Sequence, residues 1–272
     1  MADVGDARDP EFIRQHLETL AAWVERYHHT EVVGLEQVPS GPALAVGNHN
    51  GGIMSPDMFA LMVAWWRHFG ADEPAYGLAH DIPFRVPGVR ELLLRAGAVP
   101  ARQENALGLL RRGCKVLVYP GGDLDAYRPA SRAGEVVFGE RRGFVRAALR
   151  ARVPVVPIVS AGAHEAFHVL TDGRELVRRL GLKRLTRVEV LPLVLCLPWG
   201  VAVGPVPYVP MPVRIRIRVL PPIVWDLPSE AADDPAAVAR CAADVVRAMQ
   251  TGLDALSREG GHGRMARLRE LW

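Results

Sequence analysis

Short uncharged runs alternate along this chain with stretches of helical period, and few folds accept that alternation. Residues 43–46 form an apolar run that stops at Gly47-Asn48-His49. From Ser55-Pro56-Asp57 a helix-period stretch then carries Phe59, Leu61, Met62, Trp65 and Trp66. Ser55 suits the N-cap of that helix and Pro56 its first position. The pattern recurs, with helices predicted over 89–95, 105–112 and 143–150 and strands over 98–100, 115–119 and 153–159. Strands this short and apolar, interleaved with helices, predict an α/β fold: a single domain whose largely parallel central sheet is flanked by helices.

Both ends add a helix. Phe12, Ile13, Leu17, Leu20, Ala21, Val24 and Tyr27 share one face of a helix over 11–29, which could pack on the body or lie on a membrane. Residues 235–256 read as an amphipathic C-terminal helix, followed by a basic tail over 258–272 with Met265, Leu268, Leu271 and Trp272 interleaved. Residues 213–220 alternate as V-R-I-R-I-R-V-L, the mark of a half-exposed strand, here expected at a sheet edge with Arg214, Arg216 and Arg218 outward. With no repeat or linker, residues 1–30 are expected to be an N-terminal helix of the same unit that residues 31–272 complete.

Composition excludes several classes. A chain of 272 residues, 49% hydrophobic and 23% charged, buries a core and is neither fibrous nor disordered. Cys114, Cys196 and Cys241 form no C-x-x-C pair, so no disulfide framework is implied, and the acidic start lacks the apolar run of a secretory leader. A reducing, cytoplasmic setting is the expectation. Residues 190–213 are uncharged but hold six prolines, which a membrane-spanning helix does not tolerate. They read either as a buried strand and a proline-rich loop, or as an apolar surface, with Trp199 and Tyr208 at its edge, that dips into one leaflet. The basic residues are all arginine except Lys115 and Lys183, and the net charge is +3. Arginine suits phosphate-bearing partners, although GC-rich coding gives the same bias. No basic stripe with interleaved aromatics marks a nucleic-acid surface.

Chemistry concentrates at predicted strand ends. His49 ends one strand and Asp57 starts the next helix, so the carboxylate could fix the imidazole tautomer and free its other nitrogen to take a proton; alternatively both merely cap the loop and the helix. Arg102 follows the strand at 98–100, and Gly121-Gly122-Asp123 follows the strand at 115–119. Both lie at the carboxyl edge of the sheet, where open α/β folds bind ligands. A second motif, His164-Glu165-Ala166-Phe167-His168, fits the zinc-hydrolase pattern H-E-x-x-H, with Glu175 or Glu189 as a third ligand. The nearby Thr171-Asp172-Gly173 leaves that motif little helix to sit on. Ser55 beside His49 lacks the Gly-x-Ser-x-Gly of a serine hydrolase and reads as a cap.

The ordered blocks resemble the glycerol-phosphate and lysophospholipid acyltransferase superfamily, especially its bacterial branch related to diacylglycerol-type acyltransferases. The likeness spans residues 33–224. It rests on Gly34-Leu35-Glu36-Gln37-Val38-Pro39 before a strand and Asn48-His49, on the block from Gly97 to Arg102, on Tyr119-Pro120-Gly121-Gly122 and on Val153-Pro154-Val155-Val156-Pro157-Ile158. The resemblance implies an acyltransferase with His49 as general base oriented by Asp57. It implies acyl-CoA or acyl carrier protein as donor, no metal or other cofactor, and a glycerolipid hydroxyl as acceptor. Asn48, Arg102, Gly121, Gly122, Asp123 and Arg128 would face the substrate, and the protein would sit peripherally on the cytoplasmic face of a membrane. A lipid-binding scaffold that has lost the chemistry is the non-enzymatic alternative. Two departures stand out: the family's His-x-x-x-x-Asp becomes seven intervening residues here, and Gly121 and Leu124 replace the Glu and Arg of its Phe-Pro-Glu-Gly-Thr-Arg turn. Arg128, Arg141 or Arg142 would then supply the missing cation, or the acceptor would be a neutral mono- or diacylglycerol.

Overall fold

The computed structural model describes residues 7–179, 190–204 and 206–259. Its strands are β1 (Glu31–Val33), β2 (Ala43–Gly47), β3 (Ala75–Ala79), β4 (Ala98–Pro100), β5 (Lys115–Val118), β6 (Val155–Ala161), β7 (His168–Thr171), β8 (Leu193–Cys196), β9 (Gly200–Val203) and β10 (Arg216–Val219). The helices are α1 (Pro10–His28), α2 (Pro56–Phe69), α3 (Val89–Arg95), α4 (Gln103–Arg111), α5 (Gly122–Ala126), α6 (Gly143–Ala151), α7 (Arg174–Arg179) and α8 (Pro235–Glu259).

The main sheet runs β1-β10-β6-β2-β5-β3-β4. From β6 to β4 every pair is parallel, as the buried apolar runs require. Successive residues of β2 serve opposite faces: Leu44 and Val46 pack with Leu110, Val145 and Met249 beneath α4, α6 and α8, while Ala43 and Ala45 pack with Ile13, Val24 and Trp66 beneath α1 and α2. α1 therefore lies on the body. Asp9 fixes its start by accepting from the backbone N–H groups of Glu11 and Phe12, each at 3.0 Å.

The strand at 213–220 corrects the edge expectation. Its alternation holds, with Ile215, Ile217 and Val219 buried and the arginines outward. β10 nevertheless lies inside the sheet, antiparallel to β6 and covered by the three-residue β1. Glu31 of β1 lies 3.8 Å from Arg214 and 4.0 Å from Arg216, and Glu259 of α8 pairs with Arg218 at 2.5 Å.

A second sheet, β7-β8-β9, is antiparallel and stands beyond the carboxyl end of β6. Residues 190–213 have a buried and an exposed side: Val194, Cys196 and Tyr208 are buried, which removes Tyr208 from the expected surface edge, while Leu195, Leu197, Trp199, Val201 and Val203 are exposed. Among the described residues no helix is long and apolar enough to cross a membrane. The basic tail lies outside the described residues apart from its first two positions, which belong to α8.

Candidate active site

His49 stands two residues beyond β2, at the carboxyl edge of the sheet. Gly47 is what lets Tyr119 approach it. A Cβ at that position would fall 2.4 Å from the Tyr119 ring, which lies against the His49 imidazole at 5.1 Å between centroids. Gly51 and Gly52 then take positive φ angles of 78° and 65°, turning the chain back in a way L side chains resist. The lengthened interval between His49 and Asp57 is this bend, and it returns Ser55 to the imidazole.

Ser55 joins the two predicted residues. Its Oγ is 3.0 Å from His49 Nδ1 and 2.5 Å from both Asp57 Oδ1 and the Asn50 carbonyl oxygen. A hydroxyl has one hydrogen, and the latter two atoms only accept. The hydrogen is committed to one of them, so Ser55 offers His49 a lone pair. The ring accordingly carries its proton on Nδ1 and leaves Nε2 free as a base. Asp57 thus reaches the imidazole through a hydroxyl and not directly, which corrects the expected imidazole–carboxylate contact. Ser55 does hold the N-cap position of α2 with Pro56 first in the helix, as expected, but its side chain makes no cap hydrogen bond there. The Asp57 carboxylate is buried and also accepts from Met58 N at 2.9 Å and Asn50 Nδ2 at 2.8 Å.

Buried polar groups hold the His49 backbone from both sides. Its N–H donates to Asp125 Oδ2 at 2.5 Å, and its carbonyl accepts from Arg128 Nη1 at 3.0 Å. Arg128, with no exposed surface, also donates to Asp125 Oδ1 at 2.7 Å, to the carbonyls of Asp125, Arg132 and Ala133, and to Asn50 Oδ1. Those acceptors engage all its N–H groups. The expectation that Arg128 binds substrate is corrected: it is a clamp on the His49 loop. Asn48 is likewise turned inward. Its Nδ2 donates to the Ser160 carbonyl at 3.0 Å and its Oδ1 accepts from Ser160 N at 2.8 Å, tying the end of β2 to β6.

The glycine turn is occupied from within the chain. Arg141 donates to the Gly121 carbonyl at 2.7 Å and to Asp123 Oδ1 at 2.5 Å, and a Cβ on Gly122 would lie 2.5 Å from that guanidinium. Arg102 remains more than half exposed, 3.8 Å from Asp81 and 3.9 Å from Glu104. It follows β4, three strands from β2, so roughly 14 Å of sheet separates it from His49. The zinc motif is dispersed: His164 lies in a 3₁₀ turn and His168 in β7, so the two histidines share no helix face. Glu175 is engaged by Arg178 and Arg179, and Glu189 lies outside the described residues. No group of three potential metal ligands forms among the described residues.

Burial holds the His49 imidazole below its ordinary value of 6.5; Asp57 pulls it upward and Arg128 pushes it further down. The ring is therefore neutral, and able to accept a proton, at neutral pH. Asn50, Ser55 and Asp125 escaped the sequence reading as site residues. The signal for the clamp was present in Asp125 and Arg128, a carboxylate and a guanidinium three residues apart beside a glycine turn.

Residues 29–161 match the family model described as acyltransferase. A protein of Mycobacterium tuberculosis named only as uncharacterized is 33% identical over 222 residues, covering 79% of this chain and 58% of its own length. The human "DGAT1/2-independent enzyme synthesizing storage lipids" is 29% identical over 205 residues, 74% of this chain and 55% of its own. The chain thus spans little more than half the length of these curated relatives. Among solved structures, the 1-acyl-sn-glycerophosphate (LPA) acyltransferase PlsC from Thermotoga maritima superposes with a TM-score of 0.54 at 16% identity, covering 94% of this chain and 86% of that one. That likeness concerns the fold.

Proposed function

We propose, from the match of residues 29–161 to the acyltransferase family model, that the protein moves a fatty acyl group from a thioester donor, acyl-CoA or acyl carrier protein, to the hydroxyl of a glycerolipid. The observation that carries the reading is the line from His49 Nδ1 through Ser55 Oγ to Asp57 Oδ1. His49 Nε2 removes the proton of the acceptor hydroxyl, and the alkoxide attacks the thioester carbonyl. The tetrahedral intermediate collapses with cleavage of the C–S bond. The thiolate takes the proton from the imidazolium, leaving an ester and a free thiol. Asp57 stabilises the transient imidazolium across Ser55.

The arginines bear on the acceptor. Arg128 has no N–H to spare and Arg141 is drawn onto Asp123 and Gly121, which leaves the turn poorly equipped to hold a phosphate. A neutral acceptor, a mono- or diacylglycerol, fits this better than lysophosphatidate, and the work takes place at a membrane surface. Thiol release measured across acyl-CoA lengths with lysophosphatidate, monoacylglycerol and diacylglycerol tests the proposal. Turnover is expected with a neutral acceptor and a loss of about 10²-fold or more in His49→Ala; undiminished turnover in that variant removes His49 as the base, and lipid binding without thiol release from any donor leaves only a scaffold.

A further inference from the structure

We infer that the carboxyl edge of the sheet is a two-lobed surface that docks on a lipid leaflet with His49 between the lobes; the inference builds on the lipid reading above. Among the described residues, the most exposed large apolar side chains, Val33 and Val224 apart, all follow the carboxyl ends of β2, β3 or β6.

The first lobe is the β8–β9 hairpin. An antiparallel sheet with one face in water ordinarily alternates apolar and polar residues. Residues 193–203 contain no charged side chain, and apart from the indole N–H of Trp199 and the thiol of Cys196 no polar side-chain group. The face carrying Val194 and Cys196 packs on Phe167, Tyr127 and Tyr208. The opposite face sets Leu195 directly across from Val201 and Leu193 across from Val203, and Val201 is 64% exposed. Trp199 is 59% exposed, yet its indole N–H already donates to the Pro207 carbonyl at 2.5 Å, so the surface it presents is hydrocarbon.

The second lobe follows β3. Ile82, 62% exposed, stands there with Val86, Val89 and Leu92. Arg85 and Arg90 lie exposed among them, and among the described residues neither pairs with a carboxylate. Apolar groups interleaved with uncommitted arginines match the hydrocarbon boundary and anionic headgroups of a leaflet.

Strand order places the site between these lobes. β2 lies between β6, from which the hairpin sheet departs, and β5 with β3, from which the second lobe departs. Ile53 and Met54, on the His49 bend itself, are exposed in the gap. Tyr208 donates from its hydroxyl to the Gly51 carbonyl, fastening the hairpin sheet to the bend. β9 is a sheet edge whose outer backbone groups need water, so the contact is shallow: side chains enter the leaflet and the strand does not.

Cosedimentation of the purified chain with phosphatidylcholine vesicles, with and without phosphatidylglycerol, tests this. The wild type is expected to bind, and more tightly with the anionic lipid. A Leu195→Ser, Trp199→Ser, Val201→Ser triple variant should lose at least tenfold in partitioning while keeping the wild-type far-UV spectrum. Arg85→Ala with Arg90→Ala should erase only the gain from phosphatidylglycerol, and Val33→Ser with Val224→Ser should bind as the wild type does. Equal partitioning of the triple variant overturns the assignment. So does a wild type that binds neither vesicle, or one that sediments as a dimer without lipid while the triple variant is a monomer, since the face then belongs to a second copy. With short-chain donor and acceptor in free solution the triple variant should turn over normally. Vesicle binding intact in a wild type that releases no thiol removes the catalytic reading and keeps the docking surface.

Discussion

Ser55 shows how much a single hydroxyl can decide. It is the atom that links Asp57 to His49, and its place follows from a bend that glycines at 51 and 52 permit. Ser55→Ala is expected to lower kcat by about tenfold to a hundredfold with little change in KM, the cost of one hydrogen bond to a group that becomes charged. Ser55→Thr, which keeps the hydroxyl, should restore most of the rate. The pH profile adds a second readout. Because burial depresses His49, the rate should rise with pH along a limb centred below 6.5 and then level off, and removing Ser55 should move that limb lower still, since its lone pair favours the imidazolium. An unmoved limb would leave Ser55 a purely structural residue. That His49 and Asp57 lie close together was legible because strand end and helix start bracket them. Ser55 was not, because Ser-Pro-Asp before an apolar helix is an ordinary capping pattern and only the bend turns the hydroxyl the other way.

Among the elements, the loop after β2 depends on groups remote from it in sequence. Asp125 and Arg128 come from α5 and the turn behind it, yet they grip both backbone polar groups of His49. Arg128→Met should cost about 3–5 kcal/mol of stability by leaving Asp125 buried without its cation. Urea unfolding measures that loss; unchanged stability with a raised KM would instead return Arg128 to the substrate. An arginine in a polar loop gives no sign of burial along the chain, which is why it reads as a free cation. β10 misled for a related reason. Alternating Ile and Arg describe a strand with one wet face, and they say nothing about whether a neighbour as short as β1 lies beside it. Of the strands from β6 to β4, β2, β4, β5 and β6 were legible to within two residues because their runs are largely apolar; β3, where only Tyr76 is buried, was not predicted.

Across the whole molecule, two buried histidines tie stability to pH. Burial lowers His28 to about 4 and His164 to about 3, against 6.5 in the unfolded chain. The unfolded state therefore gains protons first on acidification. Their contribution is complete above pH 6.5 and is lost as pH falls from there toward the folded values. At pH 5 each should have cost about 2 kcal/mol relative to pH 7. Urea midpoints at the two pH values, compared between the wild type and His28→Gln with His164→Gln, should show the variant losing markedly less; identical losses would assign the acid sensitivity to other groups, His49 and the carboxylates. The main sheet holds one more consequence. Among the described residues β1 precedes every other strand and takes its only sheet partner from β10, the last of them. A nascent chain leaving the ribosome can assemble the parallel strands in turn, but β1 must wait for β10 to be synthesised, so this end of the sheet is completed in a late, long-range event.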